Sequence, residues 1–501
     1  MMLSRASKWI PWGVALLALA IYVATSAPGL TWANQGADGG DLLAAAVSNG
    51  VPHPPGYPLY TLLLQGWLAV IGLIYPASEL AWRGNLFSAC CAALSVGVTI
   101  QAITDLLRQV GKATWASWVA GLAWAISPLL WSQATITEVY ALHVLFFSLL
   151  GWWAISGKSL RWLIVLTMVG TAHHLTLVFL LPAVLYLQWS QHPGSRWSVA
   201  IQLIAVVVAG GCLGLVWHLR TWWAAGTVAP VNWGFADRWN DLWWLISGQA
   251  YRSYFLSASA SITFDRIAAW AYTITTQYTP VGLGLGLVGL AYLDQERPTL
   301  RNFSLLWLAP ISIYSILYYT RDSEIYLLPV GWLVAVWLAL GITLVAEGLA
   351  KWLHRPLHLI SQGALLVFTV AILALLPWRW STLSLRQDRA ARDFLAQSAS
   401  SLEPGSIVIS RSDERTFALW YGEWASGELP KDLILVNDAL YQFGWYRRLL
   451  KARYPTVKGI DQTAEELLRQ NRAERPIFLA DEIGIVPEDQ LIAVGPLWKV
   501  K

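Results

Sequence analysis

The sequence predicts a polytopic α-helical membrane protein carrying a small soluble α/β domain at its C-terminal end. Three observations carry that prediction. Of 501 residues, 56% are hydrophobic and only 13% charged, and the mean hydropathy is +0.48, whereas a soluble chain of this size carries roughly twice that charged share. Apolar runs long enough to cross a bilayer recur along the first three quarters of the chain. From Arg386 onward charges become frequent and turn signals such as EPG and ELP separate short apolar stretches. The 32 Trp fit a chain with extensive membrane–water interface. A net charge of +4, spread among loops, leaves no nucleic-acid footprint. Cys90, Cys91 and Cys212 all fall in apolar segments, which argues against a disulfide framework and against a zinc site.

In chain order, candidate spans fall at 9–28, 57–75, 84–107, 114–130, 138–156, 161–172, 174–190, 198–219, 278–293, 302–319, 325–347 and 358–378. The first reads as a retained anchor rather than a cleaved signal, because the run reaches Pro28 and no small-residue cleavage site follows closely. Arg5 and Lys8 place the N-terminus on the cytoplasmic side. If 57–75 crossed the membrane, Arg108, Lys112, Lys158, Arg161, Arg196, Arg297, Arg301, Lys351 and Arg355 would all lie outside. If that segment stays at the outer interface, all of them return to the cytoplasm, and this arrangement is the expected one. Its entry, HPPGYP, agrees, since Pro54, Pro55 and Pro58 interrupt a helical approach. About eleven true spans remain, with a membrane body over 1–380, a long outer loop over 29–83 and a soluble domain over 386–501.

The same parity gathers the unusual polar residues on one face. Asp38 and Asp41 in GADGGD share one side of a helix beginning near Asp38. Asp38 also reads as a helix N-cap, while a carboxylate at a bilayer surface can act as general base on an acceptor hydroxyl. A metal-ligand role is open to the pair, but two carboxylates without further clustered ligands are a weak metal signal, so a divalent metal is possible and not indicated. His53 reads equally as a strut for the HPPG turn or as a substrate contact. Glu138 stands between two spans, where an ionisable residue is a functional candidate by default. His173 and His174 lie between apolar half-spans, where one could cap a helix end or bind a phosphate oxygen. Arg220 and Arg321 end and begin spans; each is an anchor by itself, and together near His174 they would make a phosphate clamp.

Taken in order, DGGD followed by HPPGYPLYTLL, then WSQATITEVYAL, AHHLTLVFLLP, PVNWG and RDSEIYLLP, resemble glycosyltransferase family 117, the family that includes transmembrane protein 260. The resemblance runs from about Thr31 to Gly341. It implies a GT-C type fold with an acidic residue of the first outer loop at the reaction centre and interfacial helices after it. It further implies a polyprenyl-phosphate-linked sugar donor, with mannose the first candidate, and inverting transfer to a protein Ser or Thr hydroxyl or to an envelope glycan or lipid. On this likeness Asp38 and Asp41 are the expected catalytic pair. His53, Glu138, His174, Arg220, Asn232, Trp233, Arg321, Asp322 and Glu324 are the expected substrate contacts. Asp41 stands where the family usually has Glu, a shorter reach.

The tail does not read as the helical-repeat region of the animal family member. Its β-type runs are SIVIS, LILVN and PIFLA, separated by helical stretches at 438–453 and 463–472, the pattern of a small α/β domain. FALWYGEW and YQFGWYRRL read as packing surfaces that could dock on the membrane body or on an acceptor. The rival reading of the whole chain is a secondary transporter of a polar or anionic solute. It predicts internal repeats and mid-membrane charge, and neither is visible in the sequence.

Overall fold

The computed structural model describes residues 9–157, 159–191 and 196–501; Arg5, Lys8 and Lys158, used above for orientation, lie outside the described residues. The body is built around two long helices. Leu80–Gln109 packs against Ile10–Thr25, Ala116–Ala125 and Tyr140–Ser156, while Leu328–Trp352 packs against Ala260–Glu296 and Pro298–Leu317. The second crossing is close enough that a Cβ on Gly341 would meet the Leu285 carbonyl oxygen at 1.8 Å, so only glycine permits it. Among the described residues five helices are long and apolar enough to cross a membrane: Leu80–Gln109, Arg196–Gly226, Pro298–Leu317, Ser323–Trp352 and Leu357–Leu383. Shorter apolar helices accompany them at Pro11–Thr25, Pro58–Ile74, Ala116–Ala125, Tyr140–Ser156 and Leu175–Gln191. Leu16, Leu17, Ile201, Ile204, Leu366, Val367 and Val370 are exposed on these helices. An apolar belt of that extent is stable only against lipid, and the chain is an integral membrane protein.

Two expected spans are interrupted. Residues 114–130 form two helices, Ala116–Ala125 and Pro128–Ala134, because Pro128 lacks the N–H that would continue the first. The stretch 278–293 is the second half of Ala260–Glu296, broken at Thr279 (φ 63°) ahead of Pro280. Pro280 leaves the Thr276 carbonyl without its helical donor. The buried Arg379 guanidinium donates to Thr276 O at 3.2 Å, to Gln277 O at 2.9 Å and to Ile126 O, satisfying both interruptions from one side chain.

The long helices also separate two ends of the body. Lys112 pairs with Glu347 at 2.6 Å and Arg301 with Asp294 at 2.7 Å at one end. Glu79, Arg83 and the Arg321–Glu324 stretch lie at the other, about 45 Å away along Leu80–Gln109.

The tail is a five-stranded sheet of order β2-β1-β3-β5-β4, with β1 (Ile407–Ser410), β2 (Ile434–Asn437), β3 (Ile477–Leu479), β4 (Leu491–Val494) and β5 (Leu497–Val500). The three strands read from the sequence pair in parallel, β1 lying between β2 and β3. The antiparallel β4–β5 hairpin was not expected. Its strands are short and half-exposed, and its turn is Gly495–Pro496 with Gly495 at φ +60°. The helix Asp413–Tyr421 follows β1 directly and lies against the helix Gly39–Val47 of the first loop.

Candidate active site

The DGGD segment is shaped by what presses on it. Asp38 closes a 3-10 turn over Ala33–Asp38, and Gly39–Val47 follows as an α-helix. A Cβ on Gly40 would lie 2.3 Å from the Phe417 carbonyl oxygen of the tail, and one on Gly39 would lie 3.1 Å from the Thr137 carbonyl oxygen of the body. The glycine pair therefore lets the loop backbone sit between body and tail. Asp38 holds the N-cap position, yet its side chain makes no capping hydrogen bond; it is turned to other use.

Asp41 is fully buried. Its Oδ2 accepts the His53 backbone N–H at 2.9 Å and lies 2.8 Å from His53 Nδ1, while Oδ1 accepts the Trp233 indole N–H at 3.0 Å. His53 Nε2 in turn lies 3.4 Å from Asp38 Oδ2. The three side chains form one line, Asp41–His53–Asp38, with both imidazole nitrogens committed to carboxylates. Burial alone would lower the His53 pKa, but Asp38, Asp41 and Glu138 outweigh it and hold the ring charged, pushed up to about 10. Asp38 keeps 38% of its side chain accessible. Burial, opposed by His53 and reinforced by Asp413, Asp41 and Asp322, pushes its carboxyl up to about 7.

The PVNWG stretch serves this line. Val51 and Asn232 form a parallel bridge, with Val51 N–H donating to Val231 O at 2.9 Å and Trp233 N–H to Val51 O at 3.1 Å. Asn232 Nδ2 donates to Ala224 O at 2.9 Å, so Asn232 holds the backbone while Trp233 holds Asp41. Glu138 is 2% exposed; its Oε2 accepts the Val139 N–H at 3.1 Å and its Oε1 has no partner. It interacts electrostatically with Asp38 and His53.

The other expected contacts are spread around this centre. His174 caps the 3-10 helix Leu175–Leu180: its Nδ1 lies 2.7 Å from the Thr176 hydroxyl, which also meets His143 Nε2 at 3.2 Å. His173 Nε2 lies 3.1 Å from Val139 O. Tyr57, Tyr140 and Tyr326 pack on His174, and Tyr314 and Tyr318 pack on Tyr326, forming an aromatic wall that sequence reasoning did not identify. Arg220 donates from Nη1 to Gly50 O at 3.1 Å, while its buried Nη2 has no partner. Arg321 and Glu324 line a separate recess of about 130 Å³ together with Arg266, Trp270, Ser315 and Ser323. Arg266 was also missed; its guanidinium donates at 2.6 Å to Ser315 O, Ile316 O, Tyr318 O and Ser323 Oγ. Asp322 reaches the centre through its electrostatic effect on Asp38 and on Glu138.

The tail packs over the first loop. Tyr421 donates to Glu79, Thr31 to Asp388, and the Trp32 indole N–H to Glu414 O at 2.9 Å. Arg448 pairs with Asp237 at 3.1 Å and with Asp241. Trp420 and Trp445 pack on Trp233. Both aromatic-rich tail segments dock on the body. Among the described residues no group of three or more His, Cys, Asp or Glu is arranged to hold a metal ion.

Comparison with known proteins places this geometry. Residues 38–197 match the model of the protein O-mannosyl-transferase TMEM260 N-terminal domain, a segment that includes DGGD, HPPG, Glu138 and His174 and ends before PVNWG and RDSE. The protein O-mannosyl-transferase TMEM260 of Mus musculus is 33% identical over 115 residues, 23% of this chain and 15% of that protein. The tmem260 protein of Dictyostelium discoideum is 29% identical over 132 residues, 26% of this chain and 15% of that protein. The match thus spans less than a fifth of either relative. The whole fold is similar to ArnT from Cupriavidus metallidurans bound to undecaprenyl phosphate, with a TM-score of 0.59 at 14% identity, covering 98% of this chain and 97% of ArnT. The apo ArnT structure gives 0.57. The fold is therefore ArnT-like, of GT-C type: mostly helical, with a small C-terminal sheet.

Proposed function

Because the chain carries the TMEM260 family's N-terminal domain over residues 38–197, we propose that it is an inverting membrane glycosyltransferase. It takes a hexose, mannose first among candidates, from a polyprenyl-phosphate carrier and delivers it to an acceptor hydroxyl of a protein or of an envelope glycan or lipid. The observation that carries this reading is the Asp41–His53–Asp38 line, which ends in a single solvent-open carboxylate. Such a group is poised to take a proton near neutral pH.

In the proposed reaction the acceptor oxygen attacks C1 of the sugar and the C1–O bond to phosphate breaks. The bonding pair leaves with polyprenyl phosphate, and the hydroxyl proton passes to Asp38. Asp41 holds His53, and His53 sets the orientation of Asp38. Glu138 and the tyrosines beside His174 line the sugar position. Arg220 and His174 face the phosphate, where negative charge accumulates as the bond breaks, whereas Arg321, in its separate recess, takes no part in that clamp. The ArnT structure bound to undecaprenyl phosphate supports a donor of this class.

The accompanying topology has the N-terminus in the cytoplasm and about eleven spans. It places Pro58–Ile74 at the outer interface, a membrane domain over 1–380, and the 386–501 domain outside. The deciding experiment offers the purified chain in lipid a panel of polyprenyl-phosphate sugars and measures released polyprenyl phosphate. Release that disappears in Asp38→Asn supports the reading, whereas equal release from both proteins removes Asp38 from the mechanism.

A further inference from the structure

The tail's sheet points its functional edge at the membrane site. In open α/β sheets ligands bind beyond the carboxyl ends of the parallel strands, where successive connections run to opposite sides. Here β1 lies between β2 and β3, and the chain leaves β1 through Arg411 and Ser412 into the helix Asp413–Tyr421. Asp481, just past β3, fixes that exit: it accepts the Arg411 N–H at 2.6 Å, the Ser412 N–H at 3.1 Å and the Ser412 hydroxyl at 2.7 Å. Arg411 is further tied to Asp438, just past β2, at 2.5 Å. The first residue of the helix, Asp413, makes no ion pair among the described residues and is exposed.

The helix that Asp413 opens packs against both the 3-10 turn Ala33–Asp38 and the helix Gly39–Val47. Burial is the main influence on the Asp413 carboxyl and raises its pKa, and His53 and Asp41 act on it across the gap. Asp38 has the same double character, 38% accessible yet surrounded. Two solvent-accessible carboxylates, one on the body and one on the tail, thus border the crevice where the tail helix meets the first loop. The crevice is held at fixed width by the Gly40–Phe417 backbone contact, by the Trp32–Glu414 hydrogen bond and by Tyr421 on Glu79.

We propose that this crevice is the acceptor path, and that Asp413 accepts a hydrogen bond from a hydroxyl-bearing acceptor so as to present its nucleophilic oxygen to Asp38. The inference rests on the glycosyltransfer reading above and adds to it the source of the acceptor site, which is the soluble domain. The donor's lipid stays in the body, and the tail supplies the second substrate's contact.

The test uses the full chain in lipid nanodiscs with whichever polyprenyl-phosphate sugar gives Asp38-dependent release. Acceptor probes are a degenerate Ser/Thr peptide library and methyl glycosides, each titrated to saturation. Asp413→Asn raises the acceptor KM about tenfold, the value of one charge-assisted hydrogen bond, with a smaller change in kcat. Asp413→Glu recovers most of the loss. Glu414→Gln, one residue along the same helix with its side chain exposed, leaves both constants unchanged. Asp413 is exposed as well, so unfolding midpoints of all three variants match the parent. An unaltered acceptor KM in Asp413→Asn overturns the proposal, as does a loss confined to kcat. Donor cleavage with no sugar on any of the probe hydroxyls also overturns it. Absence of Asp38-dependent release from the parent chain is a different failure, which removes the glycosyltransfer reading itself.

Discussion

Asp38 and Asp41 are the same residue three positions apart, and the fold treats them in opposite ways. Asp41 is sealed, with three hydrogen-bond donors directed at its two oxygens. Asp38 has one ion-pair partner among the described residues, His53 at 3.4 Å, and an open face. A buried carboxylate whose lone pairs are all engaged is a structural anchor; one left with free lone pairs in a desolvated recess is a reagent. The pair therefore divides the labour that the sequence motif left undivided. Four experiments press on that division.

The largest effect belongs to Asp38→Asn. Removing a general base costs about a thousandfold in turnover, read as released polyprenyl phosphate. Stability moves the other way. The folded-state pKa of Asp38 lies above the ordinary value of 3.8, so its ionised form is disfavoured by the fold, and its contribution falls as pH rises from 3.8 towards 7. A neutral Asn at pH 7.5 removes that burden. The unfolding midpoint of the variant is expected at or slightly above the parent's, and a midpoint well below it would make Asp38 an anchor like Asp41.

Asp41→Asn inverts the pattern. It leaves the charged His53 ring without its closest carboxylate and puts an amide where two acceptor oxygens were needed. The cost is about 2–3 kcal/mol of stability, visible as a lowered midpoint in thermal unfolding, with activity falling because His53 no longer fixes Asp38. A variant with unchanged stability and lost activity would assign Asp41 the reagent's role instead. Gly40→Ala tests the frame around both residues. Its Cβ would lie 2.3 Å from the Phe417 carbonyl oxygen, a backbone atom that cannot swing aside, so tail and loop must separate at a cost of about 1–2 kcal/mol. Limited proteolysis of the tail should accelerate relative to the parent.

How far the sequence could be read follows from the same contrast. In an apolar chain a polar residue stands out, and Asp38, Asp41, His53, Glu138, His174 and Arg220 were visible for that reason. The roles of Asn232 and Trp233 came through family likeness, and the structure assigns them a physical task, bracing Val51 and holding Asp41. The tyrosines at 57, 140, 314, 318 and 326 were hidden because aromatic residues at span ends are commonplace in membrane proteins. Arg266 was hidden because residues 260–277 are too polar to register as a span, although they form the first half of a 37-residue helix. Asp413 was hidden for the opposite reason: one acid among many in a charged tail carries no signal until the fold packs its helix against the turn that ends in Asp38. The parallel strands were legible from their apolar runs, whereas the two interrupted spans needed the partner that makes them tolerable, Arg379, which sequence spacing could not connect to them.

The smallest predicted effect is the one that ties the two halves of the crevice together. Asp38 must be ionised to accept a proton, so kcat/KM in the parent should rise with pH and level off above an apparent pKa near 7. Part of that elevation comes from the negative charge of Asp413 across the gap, after the larger contribution of burial. Removing the charge in Asp413→Asn makes ionised Asp38 less costly, so the acid limb should move to lower pH by less than about one unit. Asp413→Glu, which keeps the charge, should leave the limb in place. The direction matters more than the size. A limb that stays fixed in Asp413→Asn would mean that the tail carboxylate and the loop carboxylate do not face the same water, and the crevice between them would lose its electrostatic support. A limb that moves upward would point to a displaced tail, because closing over Asp38 without a compensating charge deepens its burial.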